Sequence, residues 1–168
     1  MPLSYVIKVL TESEKKLAAE LEAQVAGESG LQKFVPVPDE DRSDASSGGR
    51  IIGAFVDGLL VAQCLGYRNE KFFDLYKERL PKEIDFDFDS SVVFVFLVAD
   101  AFRSNGLAKT LLGECIQRCK SLGYKSGLAT VAPDNVPSIK VLLDCGFRIH
   151  YAGPFFAGNI RVALHRHL

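Results

Sequence analysis

The sequence carries almost no excess charge of either sign: 20 Lys and Arg stand against 21 Asp and Glu, a formal net charge of -1 over 168 residues. A nucleic-acid module announces itself by a basic stripe, so a nucleic-acid partner is disfavoured. Long apolar runs are missing as well. The longest, residues 51–56 and 92–99, fall far short of the ~20 residues that cross a bilayer. The start Met1-Pro2-Leu3-Ser4 lacks a basic stretch followed by an apolar one. No membrane partner is expected, and the cytoplasm is the expected location. What is present, 48% hydrophobic and 24% charged residues, is the composition of an ordinary soluble chain. The length suits a single domain over residues 1–168.

Cysteine is sparse and lacks a staple pattern. Cys64, Cys115, Cys119 and Cys145 lie inside apolar periodic segments with no Cys-x-x-Cys pair, so free buried thiols are expected. Cys115 and Cys119 share a helical face, but no third cysteine or histidine stands at ligand spacing. His165 and His167 share one face of a strand, and a solvated strand end competes with chelation there. No metal is expected.

The periodicity reads as an alternating α/β chain. Residues 5–10 suggest a strand, and Thr11-Glu12-Ser13-Glu14 has the capping-box form for a helix that carries Leu17, Ala18, Leu21 and Val25 on one face. Residues 27–49 read as a long loop with at most a short helix. Asp57-Gly58 joins two strands as a hairpin. Phe72, Phe73, Leu75, Tyr76 and Leu80 suggest a short helix before Pro81, and residues 68–90 as a whole look like an insertion over one face. Residues 92–99 are a nearly continuous apolar run, the mark of a strand buried on both faces. A helix with a broad apolar stripe follows from Leu107 and stops at Gly123. Then come a strand at 127–131, a helix from Asn135 to Cys145 with Pro137 in its first turn, and strands near 147–152 and 159–164.

Chemistry concentrates in Val98-Ala99-Asp100-Ala101-Phe102-Arg103-Ser104-Asn105-Gly106-Leu107-Ala108, between the buried strand and the long helix. A strand entering a helix through Arg-Ser-Asn-Gly presents unpaired N–H groups at the positive end of the helix dipole. Gly106 lets a phosphate approach the backbone, and Arg103 and Lys109 add charge at the rim. An ordinary strand-to-helix connection is the competing reading. A nucleotide P-loop is rejected, because Arg103 and Ala108 occupy its two glycine places.

Arg103-x-x-Gly106-x-Ala108 after an apolar strand resembles the R/Q-x-x-G-x-G/A signature of the GNAT superfamily of N-acetyltransferases. Asn135-Val136-Pro137-Ser138 through Cys145-Gly146-Phe147 is similar to that family's second motif. The resemblance covers most of the chain from Arg50 onward. It implies a single α/β (α+β) domain with a central mixed, twisted sheet of six to seven strands flanked by helices, splayed between the 92–99 and 127–131 strands. It implies acetyl-CoA as co-substrate, with its pyrophosphate on the amides of Ser104, Asn105, Gly106, Leu107, Ala108 and Lys109 beside Arg103. The pantetheine arm then pairs with the backbone of Phe96, Leu97 and Val98, and Asn135 and Ser138 lie beside it.

The expected reaction is acetyl transfer to a primary amine of a small molecule or a protein. By analogy the Phe96 N–H stabilises the oxyanion. This chain departs from the family in two places. Val92 and Phe94 are apolar where members often carry an acid or His, which leaves Asp89 or Asp87 to act through water. Leu142 holds the position of the usual proton-donating Tyr, which makes Tyr151 the substitute, with Ser138, Cys145 and water still open. The alternation of Asp85, Asp87 and Asp89 with Phe86 and Phe88 suits a cationic amine, or else a charged strand edge. A non-catalytic acyl-CoA-binding or regulatory module is the alternative function, and a homodimer stays open.

Overall fold

The computed structural model describes residues 2–29 and 36–168. Among these, seven strands form one sheet in the order β1-β2-β3-β4-β5-β7-β6. β1 is Val6–Val9, β2 Ile51–Val56, β3 Leu59–Tyr67, β4 Ser91–Val98, β5 Ser126–Val131, β6 Arg148–Phe156 and β7 Asn159–His167. Helices α1 (Lys15–Ser29), α2 (Asp39–Ser47) and α3 (Glu70–Arg79) cover one face. Helices α4 (Leu107–Ser121) and α5 (Val136–Asp144) cover the other. The fold is thus a mixed α/β sheet between two helical layers.

Local chemistry explains most boundaries. The Glu14 carboxylate accepts from the Thr11 amide at 2.9 Å and from its hydroxyl at 3.1 Å, which starts the turn leading into α1. Asp57-Gly58 and Ala157-Gly158 adopt positive φ in pairs, the geometry that matches the twist of a two-residue hairpin. Side-chain alternation along β4 then supplies both cores. Val93, Leu97 and Ala99 face α1 to α3, and Val92 and Phe94 face α4.

Three expectations need correction. Residues 30–35 of the 27–49 stretch lie outside the described residues, and the rest is less loop than expected: the short helix allowed there is α2, nine residues held by a buried ion pair in which Arg42 Nη2 donates to Glu22 Oε2 at 2.7 Å, while the other Glu22 oxygen accepts from the Val37 amide at 2.9 Å. β6 runs on through Pro154 to Phe156, which an edge strand tolerates because the missing N–H faces no neighbour and a register shift absorbs the ring. Residues 85–89 make no strand edge. Phe86 and Phe88 turn inward against Phe73, with ring centroids 5.9 and 4.6 Å apart, and the three aspartates stay exposed. The 68–90 segment does lie over one face, packing α3 onto the core shared with α1 and α2.

Candidate active site

β4 and β5 are the parallel pair of the sheet, and they pair only at Ser91–Ser126, Val92–Gly127 and Val93–Leu128. Beyond that point both strands continue, to Val98 and Val131, without bonding each other. A gap therefore opens at their carboxyl ends, the place where open α/β sheets bind ligands. Exposure records the divergence: Val95, Phe96 and Val98 are half-buried where the apolar run predicts a fully covered strand.

Peptide groups alternate along a strand, so two hydrogen bonds settle which ones face the gap. Ser90 O accepts from Lys125 N, toward β5, and Ala99 N donates to Val61 O, toward β3. The N–H and C=O groups of Phe94, Phe96 and Val98 are consequently aimed at the gap. Arg103 Nε reaches back to Val98 O at 3.2 Å. Leu97 differs from its neighbours: its peptide group faces Gln63 on β3, and its side chain is buried in the α1-side core.

The connection from β4 to α4 is the second part of the site. Ser104 and Gly106 both take the left-handed conformation, with φ 64° and 76°. Asn105 Nδ2 donates to the carbonyls of Phe102 and Arg103, each at 3.0 Å, and so ties the loop to its own base. The first helical bond runs from Thr110 N to Gly106 O at 3.1 Å. No amide of residues 104–109 donates to an acceptor among the described residues. A Cβ built on Gly106 meets no atom within 4 Å, so the open side of this cradle faces outward. Arg103 pairs with Asp100, and Lys109 lies 3.6 Å from Asp144 at the end of α5.

Asn135 begins α5 across the gap, and its Oδ1 accepts from the Ser138 amide at 3.3 Å. Both motifs thus converge at the carboxyl ends of β4 and β5. Leu142 is fully buried against α4.

The two side chains expected to move protons lie elsewhere. Asp89, with its side chain 88% exposed, sits in the 3₁₀ turn before β4, 3.7 Å from Arg68; Asp87 caps that turn by accepting from the Asp89 amide. Tyr151 stands on the edge strand β6, separated from β5 by β7. Its hydroxyl donates to Pro154 O at 2.7 Å, over Gly153, where a Cβ would meet Tyr151 Oη at 2.8 Å. Cys64, Cys115 and Cys119 are buried between the sheet and α4, and hydrogen bonding among the three thiols, together with burial, pushes Cys115 and Cys119 well up.

On the α1-side face, sequence reading missed a polar cluster. Arg161 of β7 is 5% exposed, and its Nη2 donates to Thr130 O of β5 at 3.0 Å. Tyr67 and Tyr76 are buried with it. The strand pattern Arg161, Ala163, His165 was the available signal, since alternation puts all three on one covered face.

The Acetyltransferase (GNAT) family matches residues 15–147. No curated protein matches the chain in sequence. Among solved structures, a putative acetyltransferase (yncA) from Salmonella typhimurium with its cofactor acetyl-CoA is similar at TM-score 0.70 and 15% identity, over 98% of this chain and 94% of that one. A phosphinothricin acetyltransferase from Sinorhizobium meliloti in complex with AcCoA is similar at TM-score 0.74 and 14% identity, over 99% and 89%. A ribosomal-protein-alanine N-acetyltransferase from Brucella melitensis is similar at TM-score 0.67 and 20% identity, over 97% and 99%. With the splayed parallel pair and the glycine loop already in place, the chain belongs to the GNAT family of acetyltransferases.

Proposed function

We propose that the chain transfers an acetyl group from acetyl-CoA to a primary amine of a small molecule or a protein. The observation that carries this reading is an alignment of backbone groups that no neighbouring strand uses: the gap-facing peptide of Phe96 and the N–H of Val98, whose carbonyl Arg103 already holds, lead from the apex of the splay toward six amides with no acceptor at residues 104–109. Such a row satisfies an extended chain of amides that ends in a pyrophosphate.

Bound acetyl-CoA supplies an acyl group activated as a thioester. The amides of residues 104–109 hold its pyrophosphate, with Arg103 and Lys109 at the rim. The peptide groups of Phe96 and Val98 hold the pantetheine arm, and Asn135 and Ser138 close its other side. The Phe96 N–H, aimed into the gap, donates to the carbonyl oxygen where negative charge develops. An alkyl amine with a pKa near ~10 must first lose a proton. Val92 and Phe94 have no group to take it and Asp89 stands at the other end of β4, so the solvent takes the proton and also supplies one to the departing coenzyme A thiolate.

The buried Leu142, at the place of the family's usual tyrosine, supports a second reading, a non-catalytic acyl-CoA-binding module. Calorimetric titration with coenzyme A and thiol release from acetyl-CoA over a panel of amines separate the two. Binding with turnover is expected. Binding without turnover for any amine favours the module, and no binding removes both readings.

A further inference from the structure

Arg161 is a buried cation without an anion. Its guanidinium makes no ion pair with a carboxylate among the described residues, and its partners are the carbonyl of Thr130 at 3.0 Å and, at 3.5 Å, the Thr130 hydroxyl. Its Nε is fully covered and bonds to nothing, and the same holds for the hydroxyl of Tyr76. The guanidinium lies 5.7 Å from the Phe156 ring centroid. Arginine cannot discharge itself by losing a proton. The ionisable groups that act on it most are Tyr76 and Tyr67, and burial raises both phenols far above neutrality, so neither supplies a negative charge. A charge taken out of water and left unpaired is among the costliest arrangements in a protein.

Its place in the sheet gives that cost a purpose. Thr130 stands two residues past Leu128, the last β5 residue paired with β4, so Arg161 is fastened to the wall of the gap. It lies on the α1-side face, whereas the amide cradle is at the start of α4, whose helix covers the opposite face. The free donors belong to the guanidinium, whose planar edge matches the two oxygens of one carboxylate. A single negative charge also neutralises the single positive one.

We propose that the acceptor is an amine that carries its own carboxylate, such as a free α-amino acid, and that Arg161 binds that carboxylate. This rests on the acetyltransferase reading for its role but not for its detection. A polyamine would bring further positive charge to an uncompensated guanidinium and is excluded on the same ground.

The test is thermal stabilisation and calorimetric binding of free α-amino acids, the corresponding α-amino amides and spermidine, each with coenzyme A at saturation. For wild type, at least one amino acid is expected to bind, with its amide weaker by about 30-fold or more. Arg161→Gln is expected to lose that discrimination while keeping its coenzyme A affinity and a melting temperature equal to or above wild type, because an unpaired buried charge has gone. No binding by any amino acid, equal binding by acid and amide, or an Arg161→Gln protein that retains the preference each overturns the proposal. So does a large fall in melting temperature with discrimination intact, which would make Arg161 structural. An amino acid that binds with this preference yet releases no thiol leaves the site standing and sinks the transferase reading instead.

Discussion

At Gly106 the demand for glycine comes from the backbone angle and from the ligand side, since no protein atom lies within 4 Å of a Cβ built there. Asp tolerates the left-handed region better than most residues, so Gly106→Asp is expected to cost only about 1–2 kcal/mol of folding stability. Its carboxylate would stand where the cradle takes an anion, and coenzyme A affinity should fall by at least about 100-fold, two factors of ~1.4 kcal/mol. An unchanged dissociation constant by calorimetry would show that the loop is no cradle. Tyr151 stands in the opposite situation, with a hydroxyl already committed to Pro154 O on its own strand and a ring packed on the α1-side core. Tyr151→Phe is therefore expected to leave kcat within about twofold and to cost roughly 1 kcal/mol or less of stability for one lost hydrogen bond. A tenfold fall in kcat would return that hydroxyl to the chemistry.

Among the elements, α1 and α2 depend most on a single contact. Glu22 and Arg42 are each 6% exposed at the side chain and bond at 2.7 Å, with Glu22 also fixing the Val37 amide and Arg42 also reaching Val37 O. Two chain segments on either side of residues 30–35 are thereby pinned to one ion pair. Arg42→Ala leaves a buried carboxylate with only one amide partner, and a loss of about 3–5 kcal/mol is expected. Urea unfolding measures it, and a loss under about 1 kcal/mol would mean that water reaches Glu22 freely. β4 is a second case in which one element has two roles. Its first three residues close the sheet to β5, and the rest of its β5-facing edge is left for another partner.

Over the whole molecule, pH sensitivity above the carboxylate range centres on β7. Burial, followed by the neighbouring imidazoles of His167 and His150, pushes the pKa of His165 down to about 4. An unfolded chain takes up that proton near pH ~6.5. The unfolded state therefore binds more protons between those values, and stability must fall as pH drops from about 6.5 toward 4. The urea midpoint is expected to be lower at pH 5 than at pH 7, and His165→Asn should reduce the difference. An unaltered difference in that variant would assign the loss to His150 or to carboxylates.

By itself the sequence determined the elements, their order and the glycine loop with its free amides, because each rests on residues close together in the chain. Thr11 and Glu14 start α1, Asp57-Gly58 turns the hairpin, and residues 103–109 join a strand to a helix start that has free amides wherever it lies in space. Tertiary structure decided what depends on distant partners. β4 parts from β5 after Val93 while β5 stays paired with β7 along its whole length, a divergence of two distant segments that no local pattern contains. The inward turn of Phe86 and Phe88 depends on Phe73, and the course of β6 through Pro154 depends on its being an edge. Tyr67, Tyr76, Thr130 and Arg161 come from four elements, so only the packed sheet could show a guanidinium left without a carboxylate among the described residues. Local signals are carried by short-range backbone bonding and survive in the sequence. Burial of a charge is a property of the whole assembly of layers, and it becomes visible only when the layers close.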